Sequence, residues 1–172
     1  LACQRVALAD WTHASLQAPF WRFYWNPRPG ASVMLGEEHA RLDPRRCMAI
    51  PPHTPFASES RCETEQFYLH FLAGPPYDRM VPALFVFPLT RDLRAVLVRA
   101  SNALQAGGRR RRFQLGLYLH TIACAALNQV PEDKLGTVYA DPRVRAAIAR
   151  LEQDPGAPHP NDALADEAHM NT

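Results

Sequence analysis

Seven residues place a polar or aromatic tip on otherwise apolar runs, and these are the ones able to do chemistry. They are Arg22, Tyr24 and Trp25 in FWRFYW, then His39 and His53, then Tyr68 and His70 in FYLHF. Metal catalysis would need about three protein ligands converging on one ion, and two scattered histidines, His53 and His70, fall short of that. Nucleophilic catalysis has no better footing. Ser32, Ser58 and Ser60 lie in no GxSxG-like elbow, and no cysteine neighbours a histidine in sequence. What the set does suit is binding, because small-molecule pockets are lined by aromatic side chains with a few polar groups that fix orientation. Arg22 is matched to a carboxylate, which a guanidinium grips through two parallel N–H donors. No cofactor is implied.

The elements that must position these residues are short. FWRFYW, ASVML, RCMAIPP and FYLHF are separated by proline, glycine and charged breaks, the signature of strands in an antiparallel sandwich or barrel. Alternation puts Phe20, Arg22 and Tyr24 on one side of their strand and Trp21, Phe23 and Trp25 on the other. It likewise separates Gln66, Tyr68 and His70 from Phe67, Leu69 and Phe71. Gln4–Ala14 reads as an opening strand, and Ala31–Leu35, His39–Leu42, Cys47–Ile50, Glu65–Phe71 and Ala83–Phe87 as further ones. A small barrel built this way can hold one ligand in its mouth.

From Arg91 the apolar period shifts to that of a helix. Leu93, Val96, Leu97, Ala100 and Leu104 form one stripe, stopped by Gly107-Gly108. A second helix over about Phe113 to Asn128 carries Leu115, Leu119, Ile122 and Ala126 on one stripe, with Leu117, Cys124 and Leu127 elsewhere on it. Helices apolar over more than a narrow stripe need cover on more than one side. The stripe Leu115, Leu119, Ile122 and Ala126, with Leu97 and Leu104 on the neighbouring helix, is therefore either the candidate seam of a two-fold homodimer or simply cover for the barrel. The run Arg109–Arg112 between the helices reads as a solvated hinge. Asp141-Pro142 starts a third helix with a cap and a first-turn proline, and Asn161–Thr172 opens another.

Composition bounds the rest. The 172 residues are 47% hydrophobic and 21% charged, enough to build a core, and the formal charge of +2 makes no case for nucleic acid over the whole chain. All but one of the basic residues are arginine, Lys134 being the exception. Cys3, Cys47, Cys62 and Cys124 show neither a CxxC pair nor zinc-site spacing and read as free thiols of a reducing compartment. No apolar run approaches the roughly twenty residues that cross a membrane, so the expected location is the cytoplasm.

The segment DPRVRAAIARLEQDPGAPHPNDALADEAHMN resembles the start of the DNA-binding domain of AraC-type bacterial transcription regulators, with LADEAHMN similar to the first helix of its first helix-turn-helix unit. RCMAIPPHTPF followed by FYLHF is similar to that family's effector-binding domain. The resemblance implies an α+β fold: a cupin-like β-barrel (double-stranded β-helix), an antiparallel helix pair and further short helices. It divides the chain into an effector-binding barrel over 1–90, a dimerisation segment over 91–130, and over 131–172 a linker with the truncated start of a helix-turn-helix domain. Metal-binding cupins use a His-x-His pair, and here His39 is followed by Ala40 and Arg41, while Phe56 stands near where many relatives place a histidine. The expected function is thus a non-enzymatic, homodimeric sensor of a small organic effector, aromatic or sugar-like, that reaches DNA only through the missing C-terminal domain. The competing expectation is a metal-dependent cupin-like enzyme, an isomerase or dioxygenase.

Overall fold

In the computed structural model, which describes residues 2–60, 62–106 and 108–135 together with Arg143, Arg150 and Ala165, nine strands precede two helices. The strands are β1 (Ala2–Leu8), β2 (His13–Leu16), β3 (Trp21–Trp25), β4 (Ala31–Leu35), β5 (Glu38–Leu42), β6 (Arg46–Ile50), β7 (Phe56–Ser60), β8 (Thr64–Phe71) and β9 (Phe85–Pro88). They form a five-stranded sheet in the order β1-β8-β3-β6-β9 and a four-stranded sheet in the order β2-β7-β4-β5. All pairs are antiparallel. The expected strand Gln4–Ala14 is two strands, one in each sheet, and β7 is a strand that the proline-rich break before it conceals.

β3 lies at the centre of the larger sheet, paired to β8 on one side and β6 on the other. Its sequence explains the position, since a strand apolar on both faces is stable only where both faces are covered. One face packs against the smaller sheet, where Tyr24, Met48 and Ile50 meet Trp11, Val33, Leu42 and Phe56. On the other, Trp21, Phe23, Trp25, Phe67, Leu69 and Phe71 meet the helices. Trp21, Phe23, Phe67 and Leu69 are completely buried, each stabilising the fold by about 1.5–3 kcal/mol.

Helix α1 (Arg91–Ala106) starts where Thr90 accepts the Leu93 N–H at 3.2 Å and Asp92 complements the positive end of the helix dipole. It buries Leu93, Leu97, Ala100 and Ser101. Helix α2 (Arg109–Leu127) begins a turn earlier than its apolar stripe suggests, so Arg109–Arg112 form its first turn and not a hinge. A 3-10 turn, Glu132–Lys134, follows. On α2 the residues Leu119, Ile122 and Ala126 are buried in the core beneath the five-stranded sheet, and Leu115 packs at its margin. They cover the chain's own sheet, which removes them from the face a partner can reach. Leu97 is likewise fully buried, and Leu104 packs at the same margin.

This unit ends at Gly136. Thr137–Thr172 form a second unit, in which Arg143, Arg150 and Ala165 are helical. The expected helices at Asp141–Gln153 and Asn161–Thr172 otherwise lie outside the described residues. Among the described residues, no helix is long and apolar enough to cross a membrane.

Candidate functional site

Arg22 sits in the middle of β3 on the face turned to the smaller sheet, opposite Ile50 on β6 and His70 on β8. Its neighbours are rings. The guanidinium carbon lies 5.0 Å from the Phe56 ring centroid and 5.6 Å from that of Phe20. Such cation–π contacts are worth about 0.5–1 kcal/mol each when partly solvated. Arg22 Nε, however, is buried with no hydrogen-bond partner. A buried donor left unmade costs about 1–3 kcal/mol, so this side chain is held ready for an acceptor that the chain does not supply to Nε.

The residues around it form a continuous aromatic cage. Tyr24 meets Trp11 edge-on at 5.5 Å, Phe56 at 6.5 Å and His70 at 6.5 Å. Tyr68 and His70, two apart on β8, stack at 4.7 Å, and Phe20 lies 4.7 Å from His70. Burial pushes the Tyr24 hydroxyl up to about 12, partly opposed by Arg22, so it stays protonated. Burial, and then the positive charge of Arg22, lower His70 to about 4, leaving its ring neutral near pH 7. The arrangement is one cation among neutral, ring-lined groups. It can bind an anion and attach an apolar body beside it, and it contains no activated nucleophile.

The centre of the sandwich is filled by Trp11, Val33, Met48 and Ile50, whereas a cleft of about 280 Å³ opens at Ala2, Phe20, His70, Phe71 and Leu72. It shares Phe20 and His70 with the cage, and it is a little smaller than the ~300 Å³ at which ligand pockets begin.

Arg22, Tyr24, Tyr68 and His70 are therefore brought together, and three other expected residues are not. Trp25 is on the helix-facing side of β3, in the other core, because it alternates with Tyr24. His39, on β5, is exposed on the smaller sheet, 3.7 Å from Glu59. It lines a separate cleft of about 360 Å³ with Ser32, Arg41 and Glu59. There Ser32 donates to Glu59 at 3.0 Å, so the carboxylate and not the imidazole meets the hydroxyl. His53 is exposed in the turn after β6 at φ 59°, its N–H donating to the Ala18 carbonyl at 2.7 Å and its carbonyl accepting from Gln17 at 2.9 Å. It ties the turn down. Among the described residues no three His, Cys, Asp or Glu gather where they could hold a metal ion.

Two partners of Arg22 were absent from the expected set. Phe20 shares its alternation, a signal the sequence carries. Phe56 arrives from the opposite sheet through a strand that the Pro51–Pro55 segment hides.

No protein-family model matches the sequence, and no curated protein matches it. Solved structures do. ToxT from Vibrio cholerae aligns over 99% of this chain and 71% of its own, with a TM-score of 0.52 at 10% identity. The unsaturated fatty acid bound wild-type ToxT of Vibrio cholerae strain SCE256 aligns over 99% of this chain and 69% of its own, with a TM-score of 0.54 at 8% identity. At such identities the likeness establishes the fold alone, an α+β, cupin-like arrangement of two antiparallel sheets and two helices.

Proposed function

We propose that this chain is the ligand-sensing and dimerisation portion of a cytoplasmic, DNA-binding transcription regulator, and that its effector is a small organic anion whose carboxylate seats on Arg22. In this reading residues 1–90 receive the effector, 91–130 pair two copies, and 131–172 lead into the DNA-reading domain. The observation that carries the ligand class is the buried, unpartnered Nε of Arg22 inside a cage of rings. The fold it shares with a fatty acid bound ToxT supports an effector with an apolar body, which the rings of Phe20, Phe56 and Tyr24 would cover.

The same strands offer a route from ligand to helices. His70 faces the cage, while its neighbour Phe71 faces the helices and stacks on Trp21 at 6.1 Å. A ligand that displaces His70 shifts Phe71 against α2. For that shift to report occupancy, the ligand must bind one arrangement of β8 and α2 more tightly than the other.

Titration calorimetry with oleic acid, its methyl ester and the Arg22→Met variant tests the reading. The acid should bind the native chain, the ester should bind at least about tenfold more weakly, and Arg22→Met should lose the difference between them. Equal affinity for acid and ester would refute an anion site at Arg22.

A further inference from the structure

The outer surface of the smaller sheet carries charged groups that the cage at Arg22 does not use. Register puts Arg41 of β5 and Glu59 of β7 on either side of Ser32 of β4, in one row across three strands. Residues directly opposite one another share a face, so the three side chains project the same way. That way is outward, because their sequence neighbours Val33, Ala40, Leu42 and Ser58 are buried inside the sandwich. Ser32 itself is only 5% exposed and lies at the base of the cleft of about 360 Å³ that opens between the two charges. That volume falls within the ~300–1,000 Å³ of small-ligand sites, and Pro29, Ala31 and Leu42 give the cleft an apolar wall.

Arg41 and Glu59 have opposite charges and do not meet. Neighbouring strands lie about 4.8 Å apart, so their backbones are separated by about 10 Å with Ser32 between them. Glu59 Oε1 accepts from the Ser32 hydroxyl at 3.0 Å and lies 3.7 Å from His39 Nε2. A carboxylate offers about four acceptor positions, so these two contacts leave it able to take a further donor. Asp43, the other acid at the cleft, is engaged within its own turn, accepting the Arg45 N–H at 2.7 Å and lying 3.7 Å from Arg46. Among the described residues no carboxylate comes within ion-pair distance of Arg41. A lone anion in the cleft would meet Glu59, and a lone cation would meet Arg41. A ligand carrying both charges close together satisfies the two at once.

We propose that this cleft is a second ligand site and takes a free α-amino acid with an apolar side chain. The ligand carboxylate lies on the Arg41 guanidinium, which grips it through two N–H donors, and the ammonium lies on Glu59. Pro29, Ala31 and Leu42 cover the apolar side chain. The cleft is on the outside of the sandwich and the Arg22 cage is between the sheets, so the two sites can be filled together by different molecules.

Titration calorimetry of the chain with L-leucine, L-valine, L-methionine and L-phenylalanine, each also as its amide and its N-acetyl derivative, is the test. At least one of the free amino acids should bind. The amide lacks the carboxylate and the N-acetyl derivative lacks the ammonium, so each should bind at least about tenfold more weakly, as the loss of one charged hydrogen bond requires. Arg41→Met should remove the preference over the amide, and Glu59→Gln the preference over the N-acetyl derivative. Both side chains lie at the surface, and unchanged thermal midpoints in the two variants separate lost binding from lost folding. Arg22→Met should leave amino acid binding as it is. No binding by any of the four amino acids would overturn the site. Equal affinity for a free amino acid and its two derivatives would overturn the doubly charged ligand. Loss of amino acid binding in Arg22→Met would put the ligand between the sheets and overturn the outer cleft, while acid-over-ester selectivity at Arg22 stands or falls separately.

Discussion

Replacing Arg22 by methionine should leave the ligand-free protein about as stable as before, while abolishing its response to a carboxylate. The magnitudes follow from the surroundings of the side chain. The substitution removes two cation–π contacts, on Phe56 at 5.0 Å and Phe20 at 5.6 Å, a loss of about 1–2 kcal/mol. It also removes a buried Nε with no partner, which relieves about 1–3 kcal/mol. Methionine keeps an unbranched apolar stem of similar reach and fills the same ring-lined space. Taken at mid-range, and with about 1 kcal/mol for the side-chain hydrogen bond between Arg22 and Tyr24 also lost, the net change lies within about 1 kcal/mol of zero. For a unit of this size that corresponds to a midpoint shift of no more than roughly 3–5 °C in thermal unfolding. Differential scanning calorimetry with and without saturating oleic acid provides both readings. The native chain should gain stability with the acid, as any ligand that binds only the folded state requires, and Arg22→Met should not. If Arg22→Met lowers ligand-free stability by more than about 2 kcal/mol, Arg22 is holding the sandwich together. The reasoning that it waits for an external anion then fails.

Two further outcomes are expected. His70 is held near 4 in the folded chain against an ordinary 6.5, so the unfolded chain takes up its proton first. The stability present above pH 6.5 is thus lost as pH falls through 6.5 toward 4. Discounted for solvent screening of a partly exposed ring, the loss is on the order of 1 kcal/mol, and urea midpoints of the native chain and His70→Gln across that range should diverge accordingly. On α2, Ile122→Ala should cost about 2–5 kcal/mol in chemical denaturation because the side chain is fully buried against the sheet. Leu119→Glu should likewise unfold the helix packing, and retention of native stability in it would contradict the assignment of that stripe to the chain's own core.

Much of the candidate ligand site was legible from alternation alone. That Arg22 and Tyr24 share a face, that Tyr68 and His70 share another, and that Trp21 and Phe23 oppose Arg22 all follow from the two-residue period of a strand. The helical stripe of α2 was equally legible, since Leu119, Ile122 and Ala126 recur at the spacing of one helix face. What remained hidden was relational. Trp25 reads as well as Tyr24 for a pocket until the sheet pairing assigns one face to the helices. His39 and His53 look alike until one is found on an outer sheet surface and the other in a turn.

Local periodicity thus determined which side chains travel together on each element, because backbone geometry sets that without reference to the rest of the chain. The tertiary structure alone decided which way each group faces. β3 and α2 are apolar on two sides, so hydrophobicity cannot choose between them. The choice comes from long-range pairing, which brings Phe56 and His70 across to Arg22 and sets Leu119 against the sheet, leaving Phe113 and Leu117 outside.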